Sequence, residues 1–187
     1  MADTLFGGSL ELRHGRAPGG LTVKRRLAFL GIAIVAVAGL AGAARATPGS
    51  GGSSMVMARA DFQDAVDVKI KIVTETGEEV IHVADAQQTV VQRTALAPGG
   101  HTGWHSHPGP AMVLVTAGAL TLYSADDPSC AGRTYSAGQA FIDRGQGHVH
   151  IGRNLGDTNT ELWTTFLDVV PQSSPRIDAA DPGTCSF

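Results

Sequence analysis

The sequence predicts an all-β fold, a barrel or a sandwich of short strands. The chain has 187 residues, of which 24 are glycine and only 5% are aromatic. Short apolar or alternating segments follow one another, and no amphipathic helix of useful length is recognisable. Glycine and proline separate these segments at close spacing, as is typical of sandwiches and barrels. We therefore expect one β domain with additional N-terminal segments.

The predicted strands run from residue 66 to residue 170. Residues 66–73 (VDVKIKIV) alternate apolar and polar side chains, which indicates a half-buried strand. Residues 111–117 are continuously apolar, and Gly118 ends that run. The other predicted strands are 79–83, 89–97, 119–123, 139–143, 148–151 and 161–170. Turns are predicted at 98–100, 125–132 and 145–147, and the segment from Pro171 onward is turn-rich.

Residues 1–46 have the pattern of a secretory signal peptide. Three basic residues, 24–26, precede the uncharged apolar run 27–44, and Ala44-Arg45-Ala46 is a small-x-small cleavage pattern. We expect cleavage between Ala46 and Thr47, which leaves no stable membrane embedding. The alternative is a membrane anchor formed by 27–44, because eighteen residues is near the minimum for a span. A further hypothesis places the start of translation at Val23, directly before the basic residues.

The remaining chain is divided into a flexible linker at 47–60, which is rich in Gly and Ser, and a domain at 61–187. Residues 1–46 hold six of the 14 basic residues and two of the 17 acidic ones, so 47–187 has a formal net charge of -7. An acidic domain is a poor partner for nucleic-acid phosphates or anionic lipids, and we expect neither.

Two cysteines, Cys130 and Cys185, form one disulfide if the protein is exported to an oxidising compartment. The bond closes a loop of about 55 residues, worth about 4 kcal/mol in the chain-entropy model. It also ties down the proline-rich C-terminal tail. In a cytosolic protein the alternative, two free thiols, is favoured.

The histidines indicate a metal site. His105 and His107 are two residues apart, so on a strand both imidazoles point to the same side. His148 and His150 form a second pair of this kind, and His101 shares the parity of the first. Neutral imidazole suits Zn, Fe, Cu and Ni, and three such ligands leave positions open for a substrate. We therefore expect His105, His107 and His150 to bind one divalent ion; the alternative is that they are only polar residues of a strand face.

Residues 99–118 resemble the first motif of the cupin superfamily, which places glycine, HxH, glutamate and glycine at fixed spacings. The residues that match the first and second motifs are Gly99, His105, His107, Gly118, Gly138, Gly147, His150 and Asn154. The resemblance covers roughly 90–170 and is strongest to small secreted bacterial single-domain cupins of the type-2 conserved-barrel kind. It implies a double-stranded β-helix, or jelly-roll, barrel with a metal ion inside, and a homodimer is a further expectation.

The sequence departs from the motif at the metal-binding glutamate, whose place is taken by Ala111 or Met112. Neither side chain can bind a hard cation. A fourth ligand could come from His148 or His101, or the site could remain a three-histidine site. A purely imidazole shell moves the preference from Mn toward Fe, Cu, Ni or Zn and favours anionic ligands.

Three functions remain open on the sequence alone. The first is an exported mononuclear three-histidine metalloenzyme, a dioxygenase or an isomerase, that acts on a small molecule. The second is a non-catalytic barrel that binds a small ligand or stores metal. The third is a structural envelope protein whose histidines are a relic. No Ser/His/Asp arrangement is recognisable, so covalent hydrolysis is disfavoured.

Overall fold

The computed structural model describes residues 46–74 and 77–187. These residues form strands and no helix, which confirms the predicted all-β class. The predicted signal peptide up to residue 45 and the alternative anchor 27–44 lie outside the described residues. The strands are β1 Ser50–Asp61, β2 Val68–Thr74, β3 Gly77–Val83, β4 Gln88–His101, β5 His105–Ser106, β6 Ala111–Ala117, β7 Ala119–Ser124, β8 Arg133–Ser136, β9 Ala140–Asp143, β10 His150–Arg153, β11 Thr160–Phe166 and β12 Ile177–Asp178.

Ten strands form one nearly closed sheet with two halves. One half contains β1, β4, β11, β6 and β9, and the other contains β12, β5, β10, β7 and β8. The halves join where Arg153 of β10 pairs with His101 of β4. Strands β2 and β3 form a separate two-stranded hairpin. This is the jelly-roll barrel that the sequence predicts.

The hydrophobic core lies between the two halves. Alternate residues of β11 point inward, and its buried positions include Leu162 and Phe166. Because strand side chains alternate between faces, one strand contributes both core and surface. The larger core cluster contains Leu96, Val113, Val115, Leu120 and Leu162, with Tyr135 and Phe141 packed against it. Leu120 comes from β7, so residues of both halves meet in this cluster.

The interval 47–60, for which a flexible linker is predicted, instead contains most of β1. Strand β1 pairs antiparallel with β4 from Ser50 to Asp61, and the Ser54 hydroxyl lies 2.9 Å from that of Thr94. The glycines serve close packing here, because a Cβ on Gly52 would lie 2.6 Å from a methyl carbon of Leu96. The side chains of β1 are exposed, so its hydropathy carries no strand signal. Its order comes from backbone pairing to the long β4.

Candidate metal centre

Two neighbouring strands bring the three histidines together. His105 begins β5 and pairs directly with His150, the first residue of β10. His107 follows β5 with the same parity as His105. The centroid of the His105 ring lies 4.4 Å from that of His150 and 4.9 Å from that of His107. The centroids of the His107 and His150 rings lie 5.1 Å apart. All three side chains are buried, and the structure therefore gathers the predicted ligand set in the barrel interior.

Each imidazole is held through its Nδ1 atom. His105 Nδ1 donates to the Gly103 carbonyl at 2.9 Å, and His107 Nδ1 donates to the Pro175 carbonyl at 2.7 Å. The acceptors are carbonyls, so they fix the tautomer with the proton on Nδ1. The Nε2 atoms of these two rings are then lone-pair donors, as a metal ligand must be.

His150 is held by a carboxylate that sequence reasoning did not single out. Asp143, the last residue of β9, places Oδ2 3.0 Å from His150 Nδ1, which also lies 3.2 Å from the His148 carbonyl. Asp143 Oδ1 accepts the Gly145 amide at 2.7 Å. Both Asp143 and His150 are at most 5% exposed. The available sequence signal was an acidic residue at the end of a predicted buried strand, which requires a partner.

The protonation states suit metal binding. Burial lowers the pKa of His105 to about 2, helped by the positive charges that His150, His107 and Arg176 can carry. Burial also lowers the pKa of His107 to about 4, with His150 contributing next. Burial alone would raise the pKa of Asp143, but its hydrogen bond to His150 and the positive charges that His150 and His107 can carry hold it well below its ordinary value. At neutral pH the site thus combines neutral imidazoles at His105 and His107 with a carboxylate in its ionised form.

These residues fit a transition-metal ion. One ligand nitrogen from each of His105, His107 and His150 lies within 4.8 Å of the others. This spacing and the oxygen acceptors behind each ring are the features of a three-histidine metal site. Asp143 takes the outer position, behind His150, that carboxylates commonly occupy in such sites.

The motif position of the missing glutamate supplies no ligand. Ala111 is fully buried in a cluster with Val90, Phe166 and Val169, whereas Met112 is 44% exposed. Neither carries a donor for a hard cation. The first coordination shell offered by the described residues is therefore imidazole only.

The two candidates for a fourth ligand lie elsewhere. His101 Nδ1 accepts the Gly103 amide at 3.1 Å, and its side chain lines a neighbouring cavity. His148 groups with Asp143 and His150 rather than with the three histidines, and its Nε2 lies 2.6 Å from the Ser124 hydroxyl. Asn154, which matches the second motif, is buried and donates to the carbonyls of Leu96 and Thr158, so its role is structural.

The histidines open onto a small cavity of about 80 Å³. Its wall is mostly apolar, and Phe166 also packs against the His107 ring with the centroids 4.8 Å apart. The apolar lining residues are Val113, Leu120, Leu122, Phe141, Leu162 and Phe166. The lining also contains the polar residues Ser54, Gln92, Thr94, Thr102 and Thr164. Apolar surface combined with polar groups that can orient a ligand is the usual composition of a small-molecule site.

The C-terminal tail closes this part of the barrel. β12 pairs with β5, so that Ile177 faces Ser106 and Asp178 faces His105. The structure contains the predicted disulfide between Cys130 and Cys185, which attaches the tail to the loop after β7. The tail therefore holds the Pro175 carbonyl against His107.

The family model described as "Cupin domain" matches residues 92–170, which contain all three histidines and Asp143. With the jelly-roll barrel and the histidine site inside it, this match defines the class: residues 92–170 form a cupin domain. No curated protein sequence matches the chain significantly.

The chain is also similar to solved structures, three of which follow. The polyketide cyclase RemF from Streptomyces resistomycificus is 16% identical over 74% of this chain and 80% of its own, with a TM-score of 0.45. A cupin domain from Bordetella pertussis Tohama I is 21% identical over 56% and 94%, with a TM-score of 0.38. An oxalate oxidase in complex with the substrate analogue glycolate is 24% identical over 43% and 41%, with a TM-score of 0.38. The chain thus spans less than half of the oxalate oxidase.

Among residues 46–74 and 77–187, no helix is long and apolar enough to cross a membrane.

Proposed function

We propose that this protein is an exported cupin that holds one divalent transition metal through His105, His107 and His150 and acts on a small molecule bound beside it. The observation that carries the proposal is the orientation of the three rings. Every Nδ1 has an oxygen partner, and the three ligand nitrogens lie within 4.8 Å of one another inside a lined cavity. Histidines kept only for stability would not need to converge on one point.

The donor set favours Fe, Cu, Ni or Zn over Mn, because the group of ligands that the described residues offer contains three imidazoles and no carboxylate. A bound ion of this group supplies either oxygen activation or Lewis-acid polarisation of a ligand oxygen. The chain's own residues orient the metal-binding rings and exclude water. Asp143 fixes the His150 ring, the Pro175 carbonyl fixes the His107 ring, and the apolar wall excludes bulk water from the ligand.

The reaction class that we favour is that of a mononuclear three-histidine metalloenzyme of the oxygenase type. The titratable side chains that line the cavity are the three histidines, Asp143 and Arg176, and Asp143 is occupied by His150 and Gly145. Of the described residues, none lining this cavity is therefore a free general base. Chemistry there depends on the metal rather than on an acid–base pair.

A non-catalytic barrel for a small ligand or for metal is the second candidate. The small cavity and the absence of a free base among its described lining residues are as compatible with this barrel as with the metalloenzyme. The metal itself separates the two functions, because an oxygenase requires a redox-active ion whereas a binding barrel does not.

Export is part of the proposal, with cleavage between Ala46 and Thr47. The disulfide supports an oxidising compartment. The Thr47 amide donates to the Ala179 carbonyl at 2.9 Å, so cleavage there leaves a first residue already tied to the tail. N-terminal sequencing of the protein recovered after expression of the full chain tests this, and an intact residue 27–44 segment would contradict it.

The decisive experiment is elemental analysis of the purified protein beside a His105→Ala/His107→Ala variant. We expect one equivalent of transition metal in the wild type and less than a tenth of that in the variant. The matched control is His82→Ala, because His82 is exposed on the β2–β3 hairpin. Iron, with oxygen uptake that depends on an added small carboxylic acid, supports the enzyme; zinc without turnover supports the binding barrel. A wild type that stays empty after incubation with Fe, Zn, Ni and Cu refutes the metal site, and with it the enzyme, and leaves only a barrel that binds a small ligand without metal.

A further inference from the structure

Arg176 brings a positive charge to the cavity that the histidines line. It precedes β12 in the C-terminal tail and lies outside the matched cupin region, residues 92–170. Its side chain is 30% exposed and lines both this cavity and a neighbouring one. We call the cavity lined by the three histidines the inner cavity and its neighbour, lined by His101, the outer cavity. Both are also lined by Ser54, Thr94 and Thr102, so Arg176 lies where the two cavities meet.

The guanidinium of Arg176 has donors to spare. Its Nε donates to Asp178 Oδ1 at 2.6 Å. Within the described ranges this is the only hydrogen bond of the Arg176 side chain, so its two terminal nitrogens lack an acceptor. Asp178 is 56% exposed and leaves the far side of the guanidinium fork open. An open fork beside an apolar cavity matches the planar oxygens of a carboxylate.

The surrounding charges favour an anion. The carboxylate that lines the inner cavity, Asp143, is already bonded to His150 and the Gly145 amide. The histidines add no negative charge, and a divalent ion on them adds positive charge. Arg176 lines the same cavity as the three histidines, so its positive charge faces the same space.

The tail fixes Arg176 relative to the histidines. Ile177 and Asp178 pair with Ser106 and His105, so the residue next to them cannot shift without breaking β12 from β5. The inner cavity, about 80 Å³, has room for only a few non-hydrogen atoms. A short carboxylic acid is of this size.

We propose that Arg176 binds the carboxylate of a small carboxylic acid whose other end reaches the three histidines, and that it thereby makes the protein select carboxylates over neutral ligands. The inference rests on the proposed metal site and deepens it by naming the ligand class. Because Arg176 acts on the ligand and not on the metal, its removal leaves metal binding intact.

The test uses the full-length gene product loaded with Co²⁺, whose visible absorption reports ligand binding. Acetate, propionate, lactate and the neutral analogue lactamide are titrated into the wild type and into Arg176→Gln, Arg176→Lys, Asp178→Asn and Arg133→Gln. Arg133→Gln is the matched control, because it removes the same charge from an exposed strand away from the cavity.

We expect at least one carboxylate to bind the wild type and lactamide to bind at least tenfold more weakly than lactate. Arg176→Gln should weaken carboxylate binding about ten- to a hundredfold at unchanged Co²⁺ content, since a hydrogen-bonded charge contributes about that much. Arg176→Lys should be intermediate. Asp178→Asn and Arg133→Gln should bind at least as tightly as the wild type.

Equal carboxylate binding by the wild type and Arg176→Gln overturns the proposal while leaving the metal site standing. So does a Co²⁺-loaded wild type that binds none of the three carboxylates. If Asp178→Asn loses as much carboxylate binding as Arg176→Gln, the loss comes from breaking the Arg176–Asp178 ion pair of the tail. That result also overturns the proposal. A wild type that takes up no Co²⁺ refutes the proposed function, and this inference with it.

Discussion

The Nδ1 atom of His107 donates a hydrogen bond of 2.7 Å to the carbonyl oxygen of Pro175, 68 residues away in the chain. One proposed metal ligand is therefore oriented by the tail and not by the barrel. The tail is itself held by β12, which pairs with β5, and by the Cys130–Cys185 disulfide. The metal site and the disulfide are consequently coupled through the backbone between Pro175 and Cys185.

Breaking the disulfide should weaken both the fold and the metal site. For Cys130→Ser/Cys185→Ser we expect a loss of about 4 kcal/mol in unfolding free energy, because a closed loop of 55 residues is opened. Metal affinity should fall about tenfold or more, as is usual when an outer-shell partner is disturbed. Urea unfolding and competition with a chelator measure these effects. A reductant should have no further effect on the variant, and unchanged metal affinity would refute the coupling.

Asp143→Asn should lower metal affinity about 10- to 100-fold with little change in fold. The amide keeps an oxygen for the Gly145 amide but loses the charge that orients His150 and increases its basicity. Chelator competition measures the affinity, and circular dichroism checks the fold. Asp157→Asn, a change of the same kind at an exposed loop position, is the control and should leave affinity unchanged. Equal affinities in both variants would remove Asp143 from the site.

Acid should destabilise the metal-free protein well before carboxylates titrate. The pKa of His107 is lowered to about 4 and that of His105 to about 2, from 6.5. Between pH 6.5 and about 4 the unfolded chain therefore binds more protons than the folded one, so unfolding free energy falls as pH falls. The loss should reach a few kcal/mol across this window.

Urea unfolding of the metal-free protein at pH 7, 6, 5 and 4.5 measures this dependence. The slope should flatten in His105→Asn/His107→Asn, which removes both groups, and should persist in His82→Ala. A midpoint that stays constant from pH 7 to pH 4.5 in the wild type would show that the two histidines are not buried in neutral form.

Strand β1 should behave as an ordered strand and not as a linker. Amides in the β1–β4 ladder should exchange with deuterium at least a hundredfold more slowly than in an unstructured chain. Gly52→Val should cost about 1–3 kcal/mol, because the new side chain meets Leu96, which is 1% exposed. Ser53→Val, at the next and exposed position, is the control and should cost little. Rapid exchange throughout residues 50–61 would support the linker instead.

The sequence was informative where a pattern is local. The alternation at 66–73 located β2 to within two residues, and the apolar run at 111–117 coincides with β6. The predicted strands 119–123 and 161–170 lie within a few residues of β7 and β11. The spacing of His105 and His107 predicted that both rings point to one side, and the fold adds His150 by pairing it with His105. The family motif predicted the barrel in which these strands meet.

The parts that could not be predicted depend on long-range partners. Asp143 looks like the end of an apolar strand until His150 is placed beside it. Arg176 and Pro175 belong to a turn-rich tail whose composition indicates only loops. β1 was mistaken for a linker because glycine and serine are typical of linkers, whereas here they allow close backbone pairing with β4. In each case the residue or strand that fixes the structure is distant in the sequence: seven positions separate Asp143 from His150, and more than 25 separate the paired residues of β1 and β4.

The carbonyl of Pro175 has a consequence for when the metal can be acquired. Pro175 follows β11, so the chain must be synthesised beyond all the strands except β12 before the His107 ring has its partner. Until then the His107 ring lacks the partner that fixes its tautomer, whereas the Gly103 carbonyl that holds His105 is already in the chain. A metal ion held by this site would therefore be bound late, and it would come from the metals present where the chain finishes folding. Its identity would then reflect the place of maturation as well as the affinity of the site.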